Sequence, residues 1–77
     1  MDDSEIRSRI EDLVEEERRL RDSTEHTDEQ RARLRQIEED RDQLWDLLRQ
    51  RDAKRQYGED PDEAEPRSEQ QVEGYLQ

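Results

Sequence analysis

The amino-acid sequence predicts an all-α protein, an antiparallel two-helix hairpin of the coiled-coil type. Composition is the first observation: of 77 residues, 51% are charged and 25% are hydrophobic, which is typical of a coiled coil or of a disordered segment. Periodicity is the second, because apolar residues recur at helical spacing in two separate stretches. The third is a run of small polar residues at positions 23–27, which predicts a turn between the two stretches.

The first helix is expected over residues 3–22. Acidic residues crowd its first turn, where they favour the positive end of the helix dipole, and Asp2, Asp3 or Ser4 can cap it. One face is apolar, and an acid interrupts it. The residues of this stripe are Ile6, Ile10, Leu13, Glu17 and Leu20.

The second helix is expected over residues 28–57. Thr27 and Gln30 have the spacing of a capping box at its start, and Gly58 is placed to adopt the left-handed conformation after its end. Its apolar face has a heptad spacing with one basic interruption. The residues of this second stripe are Leu34, Ile37, Arg41, Leu44 and Leu48.

Two amphipathic helices joined by a short turn predict an antiparallel hairpin over residues 1–57. If Leu20 lies opposite Leu34, facing residues have numbers that sum to 54, and every stripe position meets a stripe position. Glu17 and Arg41 then fall in adjacent layers. We expect them to form a partly buried ion pair that specifies the register, the alternative being that both side chains extend to solvent.

Residues 58–77 carry seven acidic residues and one basic residue, a net charge of −6, and are expected to form an extended, solvated tail. The apolar residues near its end are Val72, Tyr75 and Leu76. In the register proposed for the hairpin, Trp45 lies near Arg9 and Leu47 lies near Arg7. The apolar stripe of the first helix therefore leaves Trp45 and Leu47 uncovered.

Two covers for these side chains compete. A second copy can pack on them, which predicts a homodimer arranged as a four-helix bundle, or the end of the tail can fold back over them, within one chain or across to the partner. We expect the homodimer. The predicted interaction face consists of Ile6, Ile10, Leu44, Trp45, Leu47, Leu48, Val72, Tyr75 and Leu76.

The sequence offers no recognisable catalytic, metal or cofactor site. Cysteine is absent, His26 is the one histidine and is expected to lie exposed in the turn, and no glycine-rich phosphate loop exists. The formal net charge of −11 opposes binding to nucleic acid or to an anionic membrane. The basic residues near the end of the second helix are expected to pair with neighbouring acids on the helix surface, as Arg49 does with Asp46. We therefore expect no enzyme activity, no small-molecule substrate, no cofactor and no metal.

The chain also resembles a known family. The motifs MDDSEIRSRIEDLVEEERRLR, QLWDLLRQR, YGEDPDEA and VEGYLQ occur in this order from Met1 to Gln77. Together they resemble short acidic actinobacterial proteins known only as a domain of unknown function. The resemblance implies a bacterial protein with no assigned activity and therefore no catalytic residues to transfer. With the acidic N-terminus and the absence of a long apolar run, it implies a cytoplasmic location.

These observations predict a small, non-enzymatic protein that acts through protein–protein interaction or regulation and associates with itself. The alternative is an acidic decoy that occupies the basic, nucleic-acid-binding surface of another protein. The large negative charge supports that alternative, because it attracts a partner with a basic face.

Overall fold

A computed structural model describes the backbone of residues 1–76, and the side chains of these residues apart from Glu69, Tyr75 and Leu76. Within residues 1–76 the protein is all-helical and contains no strand. The elements are α1 (Asp3–Asp22), α2 (Asp28–Gln56), a short 3-10 helix (Pro61–Glu63) and α3 (Glu69–Leu76). α1 has the range expected from the sequence, α2 ends one residue before the expected end at Tyr57, and the last two elements were not expected.

Local hydrogen bonds explain where the two long helices begin. Asp2 caps α1, its carboxylate accepting a hydrogen bond from the backbone nitrogen of Glu5 at 2.8 Å. At the start of α2, Gln30 N donates to Thr27 Oγ1 at 3.1 Å, and Thr27 N donates to Gln30 Oε1 at 3.3 Å. These two bonds complete the capping box that the sequence predicts.

The end of α2 is formed by a Schellman motif. Gly58 has a φ of +73°, and its N–H donates to the carbonyl oxygen of Arg55 at 3.1 Å. The N–H of Glu59 donates to the carbonyl oxygen of Lys54 at 2.7 Å. Because a side chain at this φ is strained, glycine suits the position, and the chain reverses direction there.

α1 and α2 pack side by side around a small apolar core. Ile6 and Ile10 from α1 contact Leu47 and Leu48 from α2, and two partly buried residues, Leu44 and Ala64, pack against this cluster. Asp3 and Arg51, whose numbers sum to 54, form an ion pair at 2.6 Å. This contact agrees with the register expected from the two stripes.

The expectation of an extended tail is wrong. After Gly58 the chain folds back, and both the 3-10 helix and α3 pack on α2. α3 begins with a second capping box, in which Gln71 N donates to Ser68 Oγ and Ser68 N donates to Gln71 Oε1, each at 3.3 Å. Val72 is fully buried. Seven acidic residues therefore do not prevent this segment from folding onto α2, although most of its described residues remain exposed, because a few specific contacts hold it there.

The expectation that α1 leaves Leu47 uncovered also has to be corrected, and the folded tail, which was the alternative to a second copy, supplies part of its cover. Leu47 is buried in the cluster that contains Ile6 and Ile10, and Ala64 from the folded tail packs on the same cluster. On an α-helix, Leu47 is rotated by roughly 60° from Leu44, so it lies at the edge of the α1 contact. The returning tail covers that edge.

Candidate interaction surface

The structure places most of the predicted interaction face inside a single chain. Five of its residues are buried, namely Ile6, Ile10, Leu47, Leu48 and Val72. Leu44 is partly buried against them. The side chains of Tyr75 and Leu76 lie outside the described residues. Among the described residues of the predicted face, Trp45 is the one that remains exposed, at 41%.

Trp45 lies in the middle of a stripe on the outer side of α2, here called the Trp45 stripe. Its residues are Glu38, Asp42, Trp45, Arg49 and Asp52, and their spacing of 4, 3, 4 and 3 places them on one face of the helix. Trp45 is rotated by roughly 100° from Leu44, in the direction away from Leu47. Neither α1 nor the tail covers this stripe completely.

The two charges nearest to Trp45 on this stripe are free of partners. Within the part of the chain that the structure describes, Asp42 and Arg49 make no hydrogen bond and no ion pair. The expected pair between Asp46 and Arg49 does not form. Asp46 instead points toward Arg67 in the tail, on a different face of α2.

Asp46 is the centre of a polar cluster that fastens the tail to α2. Its carboxylate is fully buried and accepts two hydrogen bonds from Arg67, from Nε at 2.8 Å and from Nη2 at 2.6 Å. Gln50 Nε2 also donates to Asp46 Oδ2 at 2.9 Å and to the carbonyl oxygen of Glu65 at 2.9 Å. This paired, bidentate arrangement offsets the cost of burying the carboxylate.

Arg51 is the centre of a second cluster, which joins the start of α1 to the tail. Its guanidinium donates to Asp3 at 2.6 Å, to Asp62 at 2.9 Å and to the carbonyl oxygen of Pro61 at 3.2 Å. Arg55 approaches Asp3 at 2.7 Å. The hydrogen bonds from Arg55 and then Arg51 lower the pKa of Asp3 to about 2, because they favour the ionised carboxylate.

The predicted register pair lies between α1 and α2. Arg41 Nη1 is 3.1 Å from both carboxylate oxygens of Glu17, whose side chain is 15% exposed, against 28% for Arg41. Neither side chain extends freely to solvent. That this pair selects the register stays a prediction.

A cavity of about 530 Å³ opens on the side of the hairpin away from Trp45. It is lined by Met1, Arg9, Asp12, Leu13, Asp40, Gln43, Leu44, Leu47 and Pro66. These side chains supply apolar surface with two carboxylates and one guanidinium, and no serine, threonine or histidine lines it. His26 is exposed in the turn between α1 and α2.

The described residues contain no group of three or more histidines, aspartates or glutamates arranged to hold a metal ion. Among the helices in the described part of the chain, none is both long and apolar enough to cross a membrane.

Sequence reasoning missed the residues that fasten the tail, above all Asp46, Arg51 and Arg67. One local signal was available, since Ser68 and Gln71 have capping-box spacing directly before Val72. The partners of Asp46 and Arg51 outside α2 had no such signal, because they lie from 10 to 48 residues away along the chain.

Comparison with known proteins identifies the family. A family described as "Protein of unknown function (DUF2630)" matches residues 2–77. Uncharacterized proteins from Mycobacterium bovis and from two strains of Mycobacterium tuberculosis are each 52% identical over 77 residues, covering 95% of this chain and 88% of theirs. No solved structure matches the chain. The resemblance to short actinobacterial proteins of unknown function is thus confirmed, and the chain belongs to the DUF2630 family.

Proposed function

We propose that this protein is a non-enzymatic interaction module that associates with itself through the Trp45 stripe. The observation that carries the proposal is the exposure of Trp45, the one tryptophan of the chain, which is 41% exposed. Tryptophan is enriched among residues that dominate protein interfaces, because its large ring gains much from leaving water. A second copy covers this ring in the proposed assembly.

The rest of the apolar surface supports this choice of face. The described large hydrophobic residues that remain exposed are Met1, Val14, Trp45 and Tyr57. Tyr57 is 80% exposed at the end of α2, beyond the core, and Met1 borders the cavity. Trp45, by contrast, lies within the 29-residue helix α2, away from its ends, where a second helix can pack along the whole stripe.

The absence of catalysis is part of the proposal. Its support is the chemistry of the cavity, where Asp12, Asp40 and Arg9 surround apolar side chains without a nucleophile. A catalytic role for His26 is opposed by its position in an exposed turn, away from this cavity.

Sedimentation equilibrium tests the proposal. We expect the full chain to sediment as a dimer of 19 kDa, twice the 9.5 kDa of one chain, at micromolar concentration. Trp45→Ala should raise the dimer dissociation constant roughly 30-fold or more, as expected for a central interface residue. Tyr57→Ala is the matched control, since it removes a more exposed aromatic ring outside the stripe, and it should leave the constant unchanged.

The sedimentation experiment has two outcomes that contradict the proposal. A full chain that remains a 9.5 kDa monomer at all concentrations tested contradicts self-association. A dimer that Trp45→Ala leaves intact contradicts the assignment of the face.

The acidic decoy is the second candidate. The observation in its favour is the net charge of −11, which steers a basic partner toward the protein at low ionic strength. Salt separates the two candidates. Self-association should tighten as salt screens the repulsion between two acidic chains, whereas binding to a basic partner should weaken.

A further inference from the structure

We infer that the second copy packs its α2 antiparallel to the first α2, about a two-fold axis at Trp45, with Asp42 of each copy paired to Arg49 of the other. The inference deepens the proposed self-association and rests on it. It names the occupant of the Trp45 stripe, a second copy of this chain, and the direction in which that copy lies.

The stripe carries one opposite charge on each side of Trp45, Asp42 before it and Arg49 after it. Asp42, Trp45 and Arg49 are separated by three and four residues, so their side chains project from one face of α2. When two identical helices cross antiparallel at Trp45, the residues that face each other have numbers that sum to about 90. The numbers 42 and 49 sum to 91, so Asp42 lies within one residue of the position opposite Arg49.

Charge then selects the direction of the partner. An antiparallel second copy brings the carboxylate of Asp42 to a guanidinium at both ends of the Trp45 contact. A parallel copy brings Asp42 to Asp42 and Arg49 to Arg49, which places like charges together. In the described chain neither residue has an existing ion pair or hydrogen bond, so the new pairs break no contact.

The ends of the stripe limit the affinity. Glu38 lies opposite Asp52 of the second copy, and these two carboxylates repel each other. Glu38 already has Arg21 at 3.4 Å, which reduces its share of the repulsion. Asp52→Asn removes one charge from each of these contacts and should therefore tighten the dimer.

Charge-reversal variants test the direction. Asp42→Arg and Arg49→Asp each place like charges at both ends of the contact, so each homodimer should weaken roughly tenfold or more. An equimolar mixture restores opposite charges at every contact. We expect the heterodimer in this mixture to form with an affinity within about threefold of the wild-type homodimer.

Net charge separates this local effect from general repulsion. Asp42→Arg changes the charge of each chain from −11 to −9, so general repulsion alone would tighten its homodimer, whereas the inferred contact weakens it. Arg9→Asp is the control for Arg49→Asp, because both variants carry −13. The register puts Arg9 level with Trp45 along the helices, but the Arg9 side chain lines the cavity, which Trp45 does not line. Arg9→Asp should retain most of the affinity.

Native mass spectrometry and sedimentation equilibrium on the separate and mixed variants give the result. Preferential heterodimer formation supports the antiparallel contact. A wild-type dimer that depends on Trp45, combined with variants that show no preference for each other, overturns the contact and leaves the proposed function standing. A wild-type monomer overturns self-association itself, and with it this contact.

Discussion

At the scale of single residues, two buried charges hold the C-terminal segment in place. Asp46 binds Arg67, and Arg51 binds Asp62 and the carbonyl oxygen of Pro61. An unpaired buried charge is strongly unfavourable, while a fully hydrogen-bonded one costs little or nothing. The two side chains therefore contribute mainly to the position of the tail, which makes each a place where one substitution has a large effect.

Asp46→Ala is expected to destabilise the fold by about 2 kcal/mol. The substitution leaves Arg67 and Gln50 without their buried acceptor, and the usual cost of 3 to 5 kcal/mol is reduced because Arg67 is 37% exposed and can reach water. Urea unfolding followed by circular dichroism gives the free energy. Glu39→Ala is the control on the same helix, since Glu39 is exposed and has no partner in the described chain. An equal free energy for both variants would contradict the role of Asp46.

Asp3 makes the stability of the fold depend on acid. Its pKa is lowered from 3.8 to about 2 by Arg55 and Arg51, so the folded state favours the ionised carboxylate. The resulting stabilisation is fully present above the unfolded pKa and is lost as the pH falls from about 4 to about 2. The difference in melting temperature between the wild type and Asp3→Asn should therefore be largest above pH 5 and should shrink toward pH 2.

Arg55→Gln is the companion variant for this titration, because Arg55 makes the largest contribution to the lowered pKa. It should move the loss of stability to a higher pH. A melting-temperature difference between the wild type and Asp3→Asn that is independent of pH would show that the carboxylate does not act through these arginines.

At the scale of elements, α3 depends on its contacts with α2. It has eight residues, and helices this short are not stable alone in water. Its capping box satisfies backbone donors at its start, and Val72 is buried. Arg67, two residues before α3, is held by its ion pair with Asp46. α3 therefore needs these contacts to remain folded.

Val72→Ala is expected to release α3. Removing the two buried methyl groups of Val72 costs about 2 kcal/mol, which corresponds to a roughly 30-fold larger population of the undocked helix. Hydrogen exchange of the amides in residues 69–76 measures this population, and the rate should rise by the same factor. Val14→Ala is the matched control, because this valine is 45% exposed on α1. Equal exchange rates in the two variants would mean that Val72 does not hold α3.

At the scale of the whole molecule, an elongated shape is combined with a high negative charge. The protein measures 49 × 26 × 15 Å and carries −11. Two such molecules repel each other over a distance of roughly 30 Å at 0.01 M salt, but of only about 10 Å at 0.1 M. Any self-association must overcome this repulsion, so it should respond to ionic strength.

Dimerisation is expected to tighten as the salt concentration rises from 0.02 to about 0.2 M, because screening reduces the repulsion between the two chains. Sedimentation equilibrium at several sodium chloride concentrations measures the trend. The emission of Trp45, the one tryptophan, gives a second readout, since its maximum should shift to shorter wavelength when a second copy covers the ring. Capture of a basic partner that weakens with salt, without any dimer, would favour the decoy function.

Local patterns were sufficient for the two long helices. Thr27 with Gln30 identifies the start of α2, Gly58 its end, and the two apolar stripes give the register that brings Ile6 to Leu48. Each of these signals involves residues a few positions apart on one helix, or a simple opposition of two stripes. Such signals can be recognised in a single sequence.

The candidate surface was predictable in part. Trp45 was expected to lie outside the stripe of α1 and remains partly exposed, whereas Leu47 was expected to lie there too and is buried. The difference arises because the folded tail covers one edge of α2 and leaves the other open. The acidic composition of the tail had predicted that it would be extended and solvated.

The sequence by itself determined the helical class, the ends of α1 and α2 and the negative charge, because periodicity, capping and ionisation are local properties of the chain. Only the tertiary structure decided that the tail folds back, that Asp46 and Arg51 are buried and that Trp45 stays at the surface. These outcomes depend on pairs such as Asp46 with Arg67 and Arg51 with Asp3, whose members are separated by 21 and 48 residues. Their free energy comes from three-dimensional proximity, which no local pattern encodes.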